Sequence, residues 1–338
     1  ISPPFYKTWW FYTISILFLI GVIFLYVRLR LSKLQKDKLV LEETVKERTK
    51  EVVKQKDIIE EKNKEITDSI TYSQRIQNAI LPDEERLTRY FNEYLVLFNP
   101  KDIVSGDFYW ANEKNDKIYF VAADCTGHGV PGAIMSVIGH TSLETTLKDS
   151  VEYSAGEFLD ELTNNLVHTL AQSSKQVIKD GMDLGLCIYD KKQSLIEYAG
   201  ANNPIYIIRP KAAGFDEVLN EETLSLDVKE YNLFEIKATK QPIGYFEHRD
   251  KFITHSIKVK KDDVIYLFSD GFADQFGGEN GKKFKYKPFK QLLLDIQSES
   301  MDKQKELLNK VLGEWMNPTE LIHHEQIDDV LVFGVKVS

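Results

Sequence analysis

The pattern of apolar and polar positions divides the chain into three parts. Residues 9–27 contain no charged side chain, and their length comes close to the ~20 apolar residues with which a helix crosses a bilayer. Residues 31–80 contain no glycine or proline and follow a seven-residue repeat. From Pro82 onwards, short alternating segments separated by turn residues predict strands with some helices between them.

The apolar segment of residues 9–27 has the features of a single transmembrane helix. Tryptophan and tyrosine side chains lie at its ends, where aromatic rings favour the headgroup region. Lys7 is the one charge before the segment, whereas four basic residues follow it between Arg28 and Lys36. This asymmetry predicts a single-pass protein of the cytoplasmic membrane with a cytoplasmic C-terminal part. A signal peptide is the alternative, but the segment lacks a positive n-region and a small-residue cleavage site.

The residues around this segment predict a sensor and a linker. The chain begins at Ile1 and not at methionine, so residues 1–8 are interpreted as the end of an extracytoplasmic sensor domain. In residues 28–82, one seam of the heptad repeat is apolar in six of eight places, but the other only in three of seven. A structural coiled coil fills both seams. We therefore expect a coiled-coil-like signalling linker that forms a homodimer and ends at Pro82, with an inert spacer as the alternative.

The rest of the chain, residues 83–338, is predicted to form one α+β domain. Tight turns such as residues 189–195 connect most neighbouring strands, which favours antiparallel sheets with helices outside them over a doubly wound parallel sheet. The predicted strands are residues 93–98, 117–123, 185–189, 195–199, 205–209, 264–268 and 330–337. The predicted helices are residues 132–148, 156–171, 287–298 and 302–316.

Charge and cysteine content exclude several classes of function. Residues 28–56 hold ten basic and five acidic side chains, so with a net charge of -9 for the chain, residues 57–338 carry about -15. Such an acidic domain argues against a nucleic-acid partner, whereas the basic stretch suits an anionic inner membrane leaflet. The two cysteines, Cys125 and Cys187, imply no disulfide framework.

Four acidic motifs stand at the ends of predicted strands. They are SGD at 105–107, DCTGHG at 124–129, SDG at 269–271 and DD at 328–329. Glycine beside a carboxylate permits close approach of the backbone to a metal or phosphate. Carboxylates that converge from separate strands repel each other unless divalent cations neutralise them. Hard oxygen ligands of this kind select Mg²⁺ or Mn²⁺ over zinc.

From Pro82 to the end, the chain resembles the SpoIIE/RsbU-type phosphatases, a bacterial branch of the metal-dependent PPM (type 2C) protein phosphatases. The resemblance rests, in order, on NPKDIVSGDFYW, AADCTGHGVPGAIMS, YAGANNP, QPIGY, YLFSDGFADQFG and QIDDVLVFGV. It implies an antiparallel β-sandwich flanked by helices on both faces, with a centre of two Mn²⁺ or Mg²⁺ ions in a cleft at one edge.

The resemblance also implies a role for individual residues. Asp124 is expected to bridge both metals and to be the central catalytic carboxylate, with the backbone carbonyl of Cys125 as a further ligand. The other expected ligands are Asp107, Asp270 and Asp328. Asp329 falls where relatives carry a polar neighbour of the last ligand, so the choice between the two adjacent aspartates stays open. Two such cations activate water and clamp phosphoryl oxygens, so no protein nucleophile is expected.

His128 is a candidate general acid, because imidazole titrates near neutral pH. Type 2C enzymes place a histidine two residues after the bridging aspartate, whereas four residues separate the two here. The alternative is that His128 supports the glycine-rich turn. Four lysines within residues 282–287 follow the SDG motif, and they either steer an anionic substrate or belong to a solvated flap.

Together these features predict a membrane-anchored protein serine/threonine phosphatase. The resemblance implies a phosphorylated signalling protein as substrate, an anti-sigma-factor antagonist of the STAS type. One alternative is a catalytically inactive, phosphatase-like binding module in a receptor, against which the four intact acidic motifs argue. The other is a kinase or cyclase output domain, for which the sequence has neither a glycine-rich nucleotide loop nor a phospho-acceptor histidine motif.

Overall fold

A computed structural model describes residues 4–149, 151–172, 180–214, 226–228 and 230–338. The chain forms two compact units, Ile1–Asp68 and Ser69–Ser338. In the part described, the helices are α1 (Trp9–Ile80), α2 (Glu84–Tyr90), α3 (Gly129–Lys148), α4 (Ala155–Gln172), α5 (Gly271–Asp274), α6 (Tyr286–Asp295) and α7 (Met301–Met316). The strands there are β1 (Glu93–Asn99), β2 (Phe108–Lys114), β3 (Lys117–Cys125), β4 (Gly181–Asp190), β5 (Leu195–Ala201), β6 (Ile205–Pro210), β7 (Leu226–Val228), β8 (Tyr231–Ile236), β9 (Ile243–Gly244), β10 (His255–Lys258), β11 (Val264–Phe268), β12 (Phe276–Gly277), β13 (Lys282–Lys283) and β14 (Val330–Lys336).

The first unit consists mainly of α1. This helix runs without interruption for 72 residues, and its N-terminal part is long and apolar enough to span a membrane, the one such helix found among the described residues. Apolar side chains of that part are exposed, with 67% of Leu17 and 73% of Phe18 accessible. The helix ends two residues before Pro82, whose ring cannot lie in a helix interior.

The second unit is built on two antiparallel sheets. Sheet I has the strand order β1-β14-β11-β6-β8-β7, and sheet II has the order β10-β5-β4-β3-β2 with β9 added beside β4. As far as the structure describes the two sheets, neighbouring strands in them are antiparallel. The tight turns in the sequence predict this arrangement, because antiparallel neighbours need only a short connection.

Alternation along the strands produces three apolar layers. In β3, Phe120 faces the core between the two sheets, whereas its neighbour Val121 faces the core beneath α3 and α4, as the two-residue period of a strand requires. A third core lies between sheet I and the pair α6 and α7, where Phe289 and Leu308 are fully buried. The order of layers is helices, sheet II, sheet I and helices. This confirms the predicted α+β fold, an antiparallel β-sandwich flanked by helices.

The predicted elements differ from the structure chiefly at their ends. The helix predicted at residues 132–148 begins at Gly129, and the strand predicted at 185–189 begins at Gly181. The helix predicted at 287–298 is Tyr286–Asp295. The sequence analysis did not predict strands β2, β7, β8, β9, β10, β12 and β13 or the short helices α2 and α5. In β2, polar residues occupy the second half and only the first half is buried. These shifts matter for function, since the extended start of β4 adds an acidic residue to the site described next.

Candidate metal centre

Sheet II supplies three carboxylates at one end of the neighbouring strands β2, β3 and β4. Asp107 directly precedes β2, and Asp124 lies near the end of β3. The antiparallel register, with Phe108 opposite Ala123, brings these two aspartates to the same end of the sheet. In the next strand, Asp183 of β4 stands directly opposite Asp124.

Sheet I supplies two further carboxylates. Asp270 follows β11, and Asp328 precedes β14. Because Phe268 stands opposite Val332 in the antiparallel ladder, the end of β11 and the start of β14 lie together. The structure therefore brings the four predicted metal-ligand aspartates, Asp107, Asp124, Asp270 and Asp328, into one site.

The five aspartates influence one another's ionisation. Burial, followed by the charges of Asp270, Asp328 and Asp183, raises the pKa of Asp124 to about 8. Burial, followed by the charge of Asp328, raises the pKa of Asp270 to about 6. Burial, and then the charge of Asp124, holds the pKa of Asp107 well above its ordinary value. Such a cluster is stable as carboxylates only when positive charge neutralises it.

One buried oxygen of this cluster lacks a partner. Asp107 is 2% exposed, and its Oδ2 has no hydrogen-bond partner within the described residues. A buried polar atom without a partner is costly, and a hard divalent cation is a suitable partner for a carboxylate oxygen. The local chemistry thus fits Mg²⁺ or Mn²⁺.

The donors of this cluster are carboxylate oxygens, a set that also suits hydrated ions. Among the residues that the structure describes, no three histidine, cysteine, aspartate or glutamate side chains form a ready ligand group for one ion. Mg²⁺ keeps several waters and is usually held by only one or two carboxylates. An all-oxygen cluster shared between two hydrated cations is therefore compatible with this arrangement.

A cavity of about 190 Å³ opens over the cluster and is lined by Asp183, Asp328 and residues 124–128. The glycine-rich turn lines this cavity, and Gly127 there adopts a φ of 87°, a conformation that favours glycine. A Cβ on Gly132 would lie 2.3 Å from the Gly127 carbonyl oxygen, so the turn packs tightly on the start of α3. A larger cavity of about 920 Å³ lies along β1 and is lined by none of the five aspartates.

The adjacent aspartates before β14 have different surroundings. Asp329 is buried, and its carboxylate accepts hydrogen bonds from the backbone N–H groups of Lys101 at 2.8 Å and Gly106 at 2.7 Å. Asp328 lines the cavity, and its Oδ1 accepts from the Asp329 backbone N–H at 2.9 Å. The geometry favours Asp328 as a ligand and gives Asp329 the role of tying β14 to the loop that carries Asp107.

His128 lies at the edge of the cavity, at the N-cap position of α3. Its Nδ1 is 3.0 Å from Asp102 Oδ2. Because a carboxylate only accepts hydrogen bonds, Nδ1 carries the proton, and Nε2 is the ring nitrogen left for another partner. The side chain is 54% exposed, so solvent or a bound substrate can reach it.

Sequence reasoning assigned no role to three polar residues near the site. They are Asp102, Asp183 and Asn202, whose Nδ2 donates to Asp183 Oδ1 at 2.8 Å. Asp183 is an acidic residue near the start of an apolar strand. This position beside a strand end is the signal that also marks the four acidic motifs, and it could have identified Asp183. Asp102 lies within the NPKDIVSGDFYW motif, but its pairing with His128 depends on a contact 26 positions away in sequence.

The two cysteine thiols are buried and poorly suited to act as nucleophiles. Cys125 and Cys187 are both buried, and burial raises the pKa of each thiol, which disfavours a thiolate nucleophile.

The four lysines after the SDG motif are exposed. One of them, Lys283, lies in the small β12–β13 hairpin. Its Nζ is 2.7 Å from Oδ2 of Asp274 in α5.

The raised pKa values predict how pH changes the stability of the metal-free protein. Asp124 has a pKa of about 8 in the folded state against an ordinary value of 3.8, so between these values the folded state binds more protons than the unfolded chain. The free energy of unfolding must then fall as pH rises through this window. In EDTA, we expect a lower Tm at pH 8 than at pH 5, measured by calorimetry. Asp124→Asn should flatten this dependence, and an unchanged slope in that variant would contradict the assigned cause.

Comparisons with known proteins agree with this geometry. The family model of Stage II sporulation protein E (SpoIIE) matches residues 114–338. The SiaA-PP2C domain of Pseudomonas aeruginosa is 26% identical with a TM-score of 0.66, and the match covers 82% of this chain and 98% of that one. The structure of the PP2C phosphatase domain and a fragment of the regulatory domain of SpoIIE from Bacillus subtilis has 16% identity and a TM-score of 0.53, covering 73% of this chain and 61% of that one. No curated protein sequence matches the chain.

The family match covers two thirds of the chain and includes four of the five clustered aspartates, all except Asp107. The SpoIIE structure from Bacillus subtilis supports the shared fold, and the SiaA domain does so over nearly its whole length. The predicted resemblance and the predicted enzyme class are both confirmed. The chain belongs to the SpoIIE family of PP2C-type, metal-dependent protein serine/threonine phosphatases.

Proposed function

We propose that this chain is a membrane-anchored phosphatase that hydrolyses phosphoserine or phosphothreonine on a signalling protein, using two Mn²⁺ or Mg²⁺ ions. The observation that carries the proposal is the convergence of five aspartates from two sheets, three of which (Asp124, Asp183 and Asp328) line one open cavity. An inactive binding module would have no need to keep so many mutually repelling carboxylates together.

The proposed ligands are the carboxylates of Asp107, Asp124, Asp270 and Asp328 with the Cys125 carbonyl. Divalent cations at this position would lower the pKa of an attacking water and neutralise the charge of the phosphoryl group. The chain itself holds the carboxylates on rigid strand ends, and the glycine-rich turn leaves room above them. The buried thiols cannot compete as nucleophiles.

Asp102 and His128 form the proposed acid for the leaving group. Asp102 keeps one proton on Nδ1, so the proton that a general acid donates is the one on Nε2, and the exposed position of His128 lets Nε2 approach the seryl oxygen of a bound segment. General acids of this kind contribute about 10²–10⁴-fold when the leaving group is a poor one.

The substrate and the setting are proposed from the family resemblance and from α1. The resemblance to SpoIIE/RsbU-type enzymes supports a STAS-type anti-sigma-factor antagonist as the phosphorylated partner. The apolar start of α1 supports anchoring in the cytoplasmic membrane, and the heptad pattern of the linker supports a homodimer. The acidic phosphatase part is then expected on the cytoplasmic side.

The first prediction concerns metal and ligands. Activity towards p-nitrophenyl phosphate should require Mn²⁺ or Mg²⁺, and Asp124→Asn or Asp328→Asn should lower kcat/KM by at least about 100-fold. Asp329→Asn is the matched control, because it removes backbone contacts and not a proposed ligand. It should cost less activity and mainly lower the Tm.

Full activity in excess EDTA would falsify the two-cation proposal. A larger loss in Asp329→Asn than in Asp328→Asn would move the ligand by one residue. Absence of activity under all metal conditions, on a phosphoprotein as well, would favour the inactive binding module.

The second prediction concerns His128. His128→Ala should reduce kcat on a phosphoserine protein about 100-fold more than on p-nitrophenyl phosphate, whose leaving group needs little protonation. Asp102→Asn should show the same selectivity to a smaller degree, because it no longer holds the proton on Nδ1. Equal losses on both substrates would leave His128 with a purely structural role.

The third prediction concerns location. After carbonate washing of cell membranes, the chain should stay in the pellet, and protease should reach the phosphatase part only from the cytoplasmic side. Replacing Leu17 and Phe18 by lysine should release the chain, since a lysine at the centre of a spanning helix costs about 2.5–3.5 kcal/mol. Recovery of the unaltered chain in the soluble fraction would refute the anchor.

A further inference from the structure

The cavity of about 920 Å³ along β1 lies apart from the metal centre. All seven residues of β1 line it, together with the start of α2 and residues between Ser300 and Asn309 at the start of α7. We call it the β1 groove. At about 3.4 Å per residue, a groove that follows a whole strand matches an extended chain better than a compact ligand.

Strand β1 is an end strand of sheet I. In the part of the chain that the structure describes, β14 is the one strand paired with it, over all seven residues. Every second residue of such a strand directs its backbone N–H and C=O away from its neighbour. These groups form a template to which a further strand can add.

The edge of β1 lacks the features that usually prevent such addition. Proteins protect edge strands by short length, proline, lysine or a bulge. The end strands β7 and β10 have only three and four residues, and β2 ends in Glu113 and Lys114. Strand β1 has seven residues, an unbroken register with β14 and neither proline nor lysine. Of the four strands at the ends of the two described sheets, it is the least protected.

The side chains of β1 already belong to the protein's own cores. Leu95 and Leu97 are each 2% exposed and pack in the core between sheet I and α7. Val96 and Phe98 pack against the core between the two sheets. The strand therefore needs no partner to cover an apolar face, and what it offers to a partner is its backbone.

The β1 groove is acidic. Its lining includes one basic residue, Lys305, and five acidic residues, Asp83, Glu84, Glu93, Asp302 and Glu306. Glu93 pairs with Lys336 at 3.3 Å, and Glu306 pairs with Lys303 at 2.8 Å. The other three acidic residues form no ion pair within the described structure, so their charge is available to a partner.

This charge decides between two occupants. A two-fold interface joins the same surface of both subunits, so a second copy of the chain would bring five acidic residues opposite five. Like charges across a strand pair destabilise it. A segment rich in lysine or arginine is attracted instead, and such complementarity sets the specificity and the rate of association.

We propose that the β1 groove is a docking site, at which an extended basic segment of a partner protein adds to sheet I as a further strand. Backbone hydrogen bonds to β1 supply affinity, and the acidic residues of α2 and α7 select a basic sequence. The site is separate from the metal centre, so its test does not depend on phosphatase activity.

The probe is a fluorescent nine-residue peptide, in which alternating valine and threonine are flanked by two lysines at each end. It is titrated against the whole 338-residue chain in micelles of an uncharged detergent, with excess Mg²⁺ to occupy the acidic metal centre. We expect saturable binding, measured by fluorescence polarisation. N-methylation of alternate peptide amides keeps the charge but removes backbone donors, and it should weaken binding at least about 10-fold.

The variant Glu84→Lys with Asp302→Lys reverses two charges of the groove and should weaken binding about 10-fold. Glu85→Lys with Glu314→Lys is the matched control, because it reverses exposed charges on the same two helices outside the groove. It should bind the peptide as the unaltered chain does. Glu84→Gln with Asp302→Asn should give a smaller loss, even if the reversed pair fails to fold.

Hydrogen exchange measured by mass spectrometry locates the bound peptide. Exchange of the amides in β1 should slow when the peptide binds. Absence of binding, equal binding of the N-methylated peptide, or binding without protection of β1 would each overturn the docking site. Protection of β1 that grows with the concentration of the chain alone would assign this edge to a second copy and overturn the proposal as well.

Discussion

The mutual repulsion of five carboxylates at one end of the sandwich is the constraint on which this structure depends. Burial removes water from Asp107 and Asp124, and neighbouring negative charges raise their pKa values further. Without cations, the protein relieves this repulsion by retaining protons on the cluster. Each bound cation removes several of these unfavourable interactions at once. This relief adds to the affinity of the cluster for cations.

The β-sandwich supplies the rigidity that such a cluster requires. Sheet I and sheet II each contribute strand ends, and the apolar core between them fixes their relative position. Two polar side chains then secure the turn before β2: Asp329 holds Gly106, and Gln77 holds Ser105. The turn that carries Asp107 is therefore held by a group directly before β14 and by one in the last turn of α1.

The parts of the fold that the sequence predicts well are those dictated by local pattern. The continuous apolar runs of β11 and β14, the glycines beside Asp107 and Asp270, and the glycine-rich turn after Asp124 are visible without a structure. What could not be predicted depends on tertiary contacts. Asp183 joins the site through strand register, and Gln77 lies outside both heptad seams, in a polar segment that gives no sign of its burial. Strand β2 escaped prediction for the same reason, since its polar half is stabilised by neighbours.

Anomalous diffraction from crystals grown with Mn²⁺ tests the central claim most directly, because it locates the cations without reference to activity. The account predicts two adjacent peaks over the cluster, with oxygens of Asp124 within about 2.5 Å of both and with Asp107, Asp270 and Asp328 completing the sites. Absence of any peak at this end of the sandwich, while Mn²⁺ binds elsewhere on the chain, would contradict it.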